Sequence, residues 1–374
     1  MNKNTVYLNN AATSWPKPAC VPEAVARALS ERPGAMHRGG IEDFDIFDSV
    51  RRLLMPLLGV SNHNQIALGF NATWALNAAI FGMKLSKGDL VLTTNAEHNS
   101  ILRPLHYLEQ RCGVKTHFVH TNKSGRADLS EFNKAAFDYK PKLCIITHSS
   151  NVTGAVNDIA EMSRISKAAG AAVLIDASQT LGYINVCAEE ISADMVAFTG
   201  HKYLLGPQGT GGLWVSENLK LEPHLIGGTG VNSDMPTMPD EMPLHLEAGT
   251  GNEPSFYGLL AALKWAGENP LPKTGLADKI DKLAEGLKEI GALVISPSGL
   301  KTPVISFNVP GVSADDVGFM LSDSYDIVCR WGLHCAPRIF PDLGVMQTLR
   351  FSLSRFTTDD EINYAISAVR DIIG

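Results

Sequence analysis

The chain has 374 residues, of which 45% are hydrophobic and 19% charged, so it is long enough for one large core or for two domains that share an interface. Its formal net charge of −7 and the absence of a basic run argue against binding to nucleic acid or to a membrane surface. No apolar stretch reaches the ~18 residues of a membrane span, and no signal-like segment opens the sequence, so we expect a cytoplasmic protein.

The six cysteines are spread along the chain without a Cys-x-x-Cys pair. We therefore expect neither a disulfide framework nor a metal site. Cys144 lies in an apolar run and is predicted to be a core residue. Cys335 lies among Gly, His and Pro, a composition that is typical of a loop.

Between about residues 50 and 215, helical and strand-like patterns alternate. Helices are predicted over residues 49–58, 73–84, 100–111 and 159–169, and we expect Pro56 to bend or shorten the first of them. Short apolar runs bounded by polar turns predict strands over residues 90–93, 114–119, 143–147, 172–175, 195–199 and 212–215. This alternation predicts an open, mostly parallel α/β sheet.

The rest of the chain predicts a second, smaller unit. Residues 216–250 are irregular and rich in Gly, Pro and Met, and a helix follows from residue 254 to 265. Further helices are predicted over 276–290, 314–322 and 359–373, and strands over 294–295, 304–308, 327–330 and 348–352. We expect a large domain of residues 16–255, a small C-terminal α/β domain of residues 256–374, and an N-terminal segment, 1–15, near the active site.

Polar segments follow three of the predicted parallel strands, at residues 94–98, 149–151 and 176–179. Because ligands of such sheets bind at the carboxyl ends of the strands, these segments should meet in one cleft. Asp176 ends a buried strand, and Lys202 follows among small and polar residues. This is the pair that pyridoxal phosphate (PLP) needs: an amine to hold its aldehyde as a Schiff base and a carboxylate to keep its ring nitrogen protonated. Taken singly, each residue is also compatible with a surface lysine or a turn-forming aspartate.

Several motifs in order make the chain resemble the class V aminotransferase family of fold-type I PLP enzymes over nearly its whole length. They lie at residues 7–14, 70–73, 97–98, 149–154, 199–202 and 246–250. Asn9 stands where the family usually has Asp, and His245 where relatives often have Arg. The resemblance implies a large domain with a mostly parallel seven-stranded sheet.

The resemblance also implies the residues that hold PLP. His98 would stack on the pyridine ring, Asn151 and Gln179 would contact the phenolic oxygen, and Thr250 would reach the phosphate of the neighbouring subunit, which implies a homodimer. The full implied set is Asn71, Ala72, Thr73, His98, Asn151, Asp176, Gln179, Thr199, His201, Lys202 and Thr250.

Residues 330–337 resemble the cysteine-bearing loop of group II cysteine desulfurases and selenocysteine lyases. In that chemistry the Cys335 thiolate attacks the sulfur of a substrate cysteine, and Arg330, His334 and Arg338 are candidates to favour the thiolate. Without the motif, Cys335 would be interpreted as a small buried hydrophobe.

Arg350 matches the family's arginine for the substrate carboxylate, a task suited to a guanidinium fork, and Ala12 and Asn151 are the other implied substrate contacts. Trp331 is bulkier than is usual beside the loop and is expected to narrow the site.

The resemblance implies a cysteine desulfurase that converts L-cysteine to L-alanine and takes the sulfur onto Cys335 as a persulfide. Lys202 would act as the base at Cα, and His98 would transfer protons. A sulfur-acceptor protein is a further expected partner. The alternatives are a selenocysteine lyase, another class V enzyme (aminotransferase, epimerase or β-lyase), and a non-catalytic sulfur-relay or scaffold protein.

Overall fold

The structure, a computed structural model, describes residues 5–32, 45–271 and 275–374; residues 1–4, which begin the predicted N-terminal segment, lie outside that part. The helices are α1 (Cys20–Ser30), α2 (Ile46–Leu58), α3 (Ala72–Gly82), α4 (Asn99–Cys112), α5 (Leu129–Tyr139), α6 (Ile159–Ala168), α7 (Glu253–Glu268), α8 (Gly275–Glu289), α9 (Ala314–Ser324), α10 (Ile339–Leu343) and α11 (Asp359–Ile373). The strands are β1 (Val6–Tyr7), β2 (Ile66–Gly69), β3 (Leu90–Thr94), β4 (Lys115–Val119), β5 (Leu143–Thr147), β6 (Ala172–Asp176), β7 (Met195–Thr199), β8 (Gly211–Val215), β9 (Leu293–Val294), β10 (Val304–Asn308), β11 (Ile327–Val328), β12 (Arg330–Gly332) and β13 (Thr348–Ser352). Among the described helices, none is long and apolar enough to cross a membrane.

Seven strands form the large sheet, in the order β2-β8-β7-β6-β5-β3-β4. All pairs are parallel except those that β8 makes with β2 and β7, so the predicted mostly parallel seven-stranded sheet is confirmed. Successive residues of the central strands enter different cores: Ile146 packs with α6 and α7 on one face, and Ile145 packs with α3 and α4 on the other. Helices therefore cover both faces, which leaves the carboxyl edge of the sheet as its open end.

A second sheet of four antiparallel strands, β12-β13-β10-β9, has a core of its own. Phe307 and Phe351 of this sheet pack there with residues of α8, α9 and α11. The N-terminal strand β1 pairs in parallel with β11, and Leu8 is buried in the same core. The start of the chain is thus attached to its C-terminal part.

Helix α7 contributes Phe256 and Leu259 to the core of the large sheet, where it contacts α1 and α2. We propose that the boundary between the two domains follows α7, whereas the predicted boundary between residues 255 and 256 would divide this helix.

The predictions for α2 and for residues 327–330 differ locally from the structure. Helix α2 begins at Ile46, three residues early, because the Asp45 side chain caps it by accepting from the backbone N–H groups of Phe47 and Asp48. Pro56 lies inside its last turns without ending it; the helix stops at Leu58, before Gly59 in the left-handed region. The single strand predicted over 327–330 is divided into β11 and β12, which join different sheets.

Trp331 does not narrow the site, contrary to the prediction. Side chains alternate along β12, so Arg330 faces the cavity described below while Trp331 points to the other face and packs on the core around α9. Its ring lies over Gly318, where an added Cβ would come within 2.3 Å of ring atoms.

Replacement of Gly318 by alanine is expected to destabilise the protein by about 1–3 kcal/mol, because the methyl group overlaps the Trp331 ring. Urea unfolding measures the change. The matched control is Gly267→Ala in α7, where an added Cβ meets no atom within 4 Å; it should be neutral or slightly stabilising because alanine favours a helix. Equal stabilities of the two variants would contradict this packing.

Candidate active site

One cavity of about 260 Å³ lies at the carboxyl edge of the large sheet, against the small one. We call it the central cavity. It brings together nearly all of the predicted site residues: Ala12, Asn71, Ala72, Thr73, His98, Asn151, Asp176, Gln179, Thr199, His201, Lys202 and Arg350. Arg330 also lines it.

Lys202 enters the cavity from the turn that follows β7. Burial lowers the pKa of Lys202 from 10.5 to about 8, with Asp176 opposing the shift and Arg350 adding to it. A much larger fraction of this amine is therefore neutral near pH 8 than for an exposed lysine. A neutral amine is the form that can attack an aldehyde or accept a proton.

The peptide just before Lys202 is held by the N-terminal segment. The His201 carbonyl accepts hydrogen bonds from the Ser14 N–H at 3.0 Å, the Thr13 hydroxyl at 3.1 Å and the Lys17 amine at 3.0 Å. Lys17 was not predicted, because its partner lies 184 residues away in the sequence. This clamp fixes the backbone from which the Lys202 side chain extends.

Asp176 ends β6 as a buried carboxylate, and its Oδ1 accepts from the backbone N–H and the hydroxyl of Ser178. Behind it lies Glu97, fully buried, whose Oε1 accepts from the Thr94 hydroxyl at 2.8 Å and the Thr147 N–H at 3.1 Å. Burial raises the pKa of Glu97 to about 8, and the Asp176 charge adds to the rise. Near neutral pH Glu97 therefore holds its proton.

The start of α3 forms the other wall. Asn71 caps this helix through the Trp74 N–H, and the Thr73 hydroxyl lies 2.8 Å from the Ser100 hydroxyl. A helix N-terminus with hydroxyl groups beside it is a phosphate-binding arrangement. Ser100 in turn lies 2.9 Å from Nδ1 of His98. Burial, with the charge on Lys202, lowers the pKa of His98 to about 4, so its ring is neutral.

Two polar atoms in this cavity test its fit to PLP. Among the described residues, the buried atoms Gln179 Oε1 and His201 Nδ1 have no hydrogen-bond partner, although buried polar groups are normally paired. Both belong to residues predicted to contact the cofactor, and both line the cavity. With Lys202, Asp176 and the start of α3, they form a site whose donors and charges fit PLP.

Arg350 and Arg330 lie side by side, because β12 and β13 pair them directly. Arg350 is buried; its Nη1 donates to the Asn151 carbonyl at 2.8 Å, and its Nη2 donates to Oδ1 of Asn9 at 3.0 Å. Like charges opposite each other destabilise a sheet unless anions come between them. This face of the cavity is therefore built to receive anionic groups.

Cys335 lies beside the cavity, and its Sγ is 2.9 Å from Nη2 of Arg330. The loop is tied down at two points: the His334 carbonyl accepts from Asn151 Nδ2 at 2.7 Å, and the Cys335 carbonyl accepts from the Asn99 N–H at 2.7 Å. His334 and Cys335 both have positive φ values, 48° and 61°, a conformation that side chains adopt only when their surroundings impose it.

Of the three cationic groups expected near Cys335, the structure places only Arg330 there. The His334 ring is buried with its Nε2 2.9 Å from the Thr348 hydroxyl, and burial lowers the pKa of His334 to about 2, so it is neutral. Arg338 points elsewhere: its guanidinium lies over the Phe118 ring, and its Nε donates to Asn95.

Thr250, like Cys335, is a predicted site residue that does not line the central cavity. It lines a separate cleft with Phe70 and Trp74, at the outer side of the start of α3. His245, nearby, is buried with each ring nitrogen within 2.8 Å of a backbone carbonyl, those of Pro239 and Leu221. His245 thus stabilises the irregular segment and does not reach the cavity.

A model of the class V aminotransferase family matches residues 6–364. A probable cysteine desulfurase from Pyrococcus abyssi is 30% identical, and the match covers 100% of this chain and 95% of that protein. A probable cysteine desulfurase from Xylella fastidiosa is 31% identical, over 100% of this chain and 92% of its own length. The apo structure of a cysteine desulfurase from Thermococcus onnurineus has a TM-score of 0.89 at 29% identity, covering 99% of this chain and 94% of that one.

The lowered pKa of Lys202 predicts how the apoprotein captures PLP. Because only the neutral amine reacts with the aldehyde, the capture rate should rise with pH around a midpoint near 8, followed by the absorbance of the Schiff base. Asp176→Asn should move this midpoint to lower pH, since Asp176 opposes the shift. A midpoint near 10.5, or a higher midpoint in the variant, would contradict this account of Lys202.

Proposed function

The chain belongs to the class V aminotransferase family, and from that premise we propose that it is a PLP-dependent cysteine desulfurase. It converts L-cysteine to L-alanine and takes the sulfur onto Cys335 as a persulfide. The proposal depends on one observation: the Cys335 sulfur lies 2.9 Å from the Arg330 guanidinium. Cys335 is on a loop that a hydrogen bond from Asn151 to His334 holds beside a cavity that fits PLP.

PLP, when bound, supplies an electron sink for the negative charge that develops at Cα of the amino acid. Lys202 would hold it covalently, and Asp176 would keep a proton on its ring nitrogen. The start of α3, Thr73, Thr199 and His201 would bind the phosphate. Of the remaining residues, His98 would stack on the ring, while Asn151 and Gln179 would contact the phenolic oxygen.

Arg350 binds the substrate carboxylate, with Ala12 and Asn151 bordering the same space. A guanidinium has five N–H donors, and two of those of Arg350 are taken by Asn151 and Asn9. Three remain, which is enough for a two-point contact with a carboxylate. Once the amine of the substrate has taken the place of Lys202, the freed Lys202 amine in the same cavity would be the base that removes the Cα proton.

The Cys335 sulfur, in contact with the Arg330 guanidinium at 2.9 Å, then attacks the substrate sulfur as a thiolate. A sulfur–sulfur bond forms as the Cβ–S bond breaks, and its electron pair goes to Cβ. Protonation of that carbon gives the methyl group, with neutral His98 as the candidate proton carrier, and return of a proton from Lys202 to Cα completes alanine. The persulfide sulfur passes to an acceptor thiol, and we propose that a sulfur-acceptor protein supplies it.

Replacement of Cys335 by alanine should abolish alanine and sulfide formation from L-cysteine, with a loss of at least about 100-fold in kcat, because no other thiol replaces it. PLP binding should remain, since Cys335 is not among the residues that line the cavity. Cys112→Ala, at an exposed cysteine, is the control and should be fully active. Full activity of Cys335→Ala would exclude the persulfide step. Activity on selenocysteine alone would favour the lyase.

We also propose a homodimer in which Thr250 reaches the phosphate in the other subunit. The proposal is supported by the place of Thr250 outside its own cavity and by the apolar cleft that it shares with Phe70, a side chain 54% exposed in the single chain. A cytoplasmic location stays a prediction.

Mixing two inactive variants tests the dimer. Lys202→Ala and Thr250→Ala subunits, denatured and refolded together, should regain activity, because one site of each mixed dimer combines an intact Lys202 with an intact Thr250 from its partner. Each variant refolded alone is the control. If Thr250 acts within its own subunit, no mixed site is complete and the mixture stays as inactive as its parts.

A further inference from the structure

Arg350 is held by neutral oxygens alone. Its two described hydrogen bonds go to the backbone carbonyl of Asn151 and the side-chain amide oxygen of Asn9, and its buried Nε has no partner among the described residues. No ion pair of Arg350 occurs in residues 5–32, 45–271 or 275–374. The groups whose charges act on Arg350 are Arg330, Tyr203, Cys335 and Cys329, together with Lys202, Tyr7 and His334, and none of these is a carboxylate. Asp176 lines the same cavity, but its described hydrogen bonds are with Ser178 and not with Arg350.

The same chain shows how a buried arginine is otherwise accommodated. Arg51 is also buried, and its Nη2 contacts both carboxylate oxygens of Glu247 at 2.6 and 2.7 Å. A buried charge without a counter-charge is costly, so arginines in protein interiors are normally paired in this way. Arg350 departs from this rule at the position where a substrate carboxylate is proposed to bind.

Asn9 is the residue that holds Arg350 without an ion pair, whereas Glu247 pairs with Arg51. Its side-chain oxygen is the acceptor for Nη2, while its backbone carbonyl separately accepts from the Ala12 and Thr13 N–H groups in the turn after β1. An aspartate has the same shape and would leave that turn intact, but it would place a negative charge 3.0 Å from Arg350. The amide therefore orients the guanidinium without neutralising it.

We propose that Asn9 is a positioning residue that determines the affinity for the substrate carboxylate. Its neutral amide oxygen holds the Arg350 guanidinium in place without pairing with its charge, so the substrate carboxylate is the anion that pairs with it. The inference rests on the proposed function and deepens it: the site selects α-amino acids through a carboxylate contact that no protein anion competes with. A carboxylate in place of the Asn9 amide would be a permanent competitor for the same cation.

The experiment compares the wild-type holoenzyme with Asn9→Asp and uses two probes that differ in one group. L-Alanine carries the carboxylate, and ethylamine is the same molecule without it; the binding of each is followed through the cofactor absorbance. The substitution should weaken L-alanine binding by at least about fivefold and leave ethylamine binding within about twofold, since only the first probe needs Arg350. KM for L-cysteine should rise similarly, with kcat changed little.

Asn218→Asp, which adds the same charge at an exposed position after β8, is the matched control and should change neither probe. Equal weakening of both probes by Asn9→Asp would show a general disturbance of the site and overturn the inference, as would unchanged L-alanine binding. Failure of the proposed function appears differently, as a wild-type holoenzyme that forms no alanine from L-cysteine.

Discussion

The site depends on an excess of buried positive charge at the junction of the two sheets. Lys202, Arg330 and Arg350 line one cavity, and Asp176 is the carboxylate among its lining residues. Such an arrangement costs folding free energy, which the anchoring of each side chain must offset. The positive charge serves binding, because three anions would be attracted to it: the phosphate of PLP, the substrate carboxylate and the Cys335 thiolate. Burial of the same groups keeps part of Lys202 neutral, which its role as a base requires.

The two sheets divide the task. Parallel strands bring the ends of β3, β5, β6 and β7 to one edge, so segments far apart in sequence meet around the cofactor site. The antiparallel sheet contributes the anion-binding arginines, through the register that sets Arg330 opposite Arg350. A slip of one residue in β12 would turn Arg330 to the outer face and bring Trp331 into the cavity. The packing of the large Trp331 ring on Gly318 opposes that slip, because the ring would have to leave this contact.

The sequence predicted what local patterns encode. Buried parallel strands appear as short apolar runs, and the Lys202 and Asp176 motifs follow them directly. The failures of prediction at His334, Arg338 and Lys17 concern contacts between residues that are far apart in the sequence. His334 is neutral because Thr348 and the core surround it, and Arg338 lies over Phe118, more than 200 residues away in the sequence; neither environment is visible locally. Lys17 was missed for the same reason. Helix α5 was missed although Asp128 and Glu131 form a helix-start pattern, and α1 was missed although its apolar and polar residues are segregated as in an amphipathic helix.

The most direct test of the account is mass spectrometry of the holoenzyme after it has reacted with L-cysteine without a reductant. The account predicts that the peptide carrying Cys335 gains the mass of one sulfur atom, that a reductant removes it, and that alanine forms in equal amount. Alanine release without sulfur on that peptide, or sulfur on another of the cysteines instead, would contradict it.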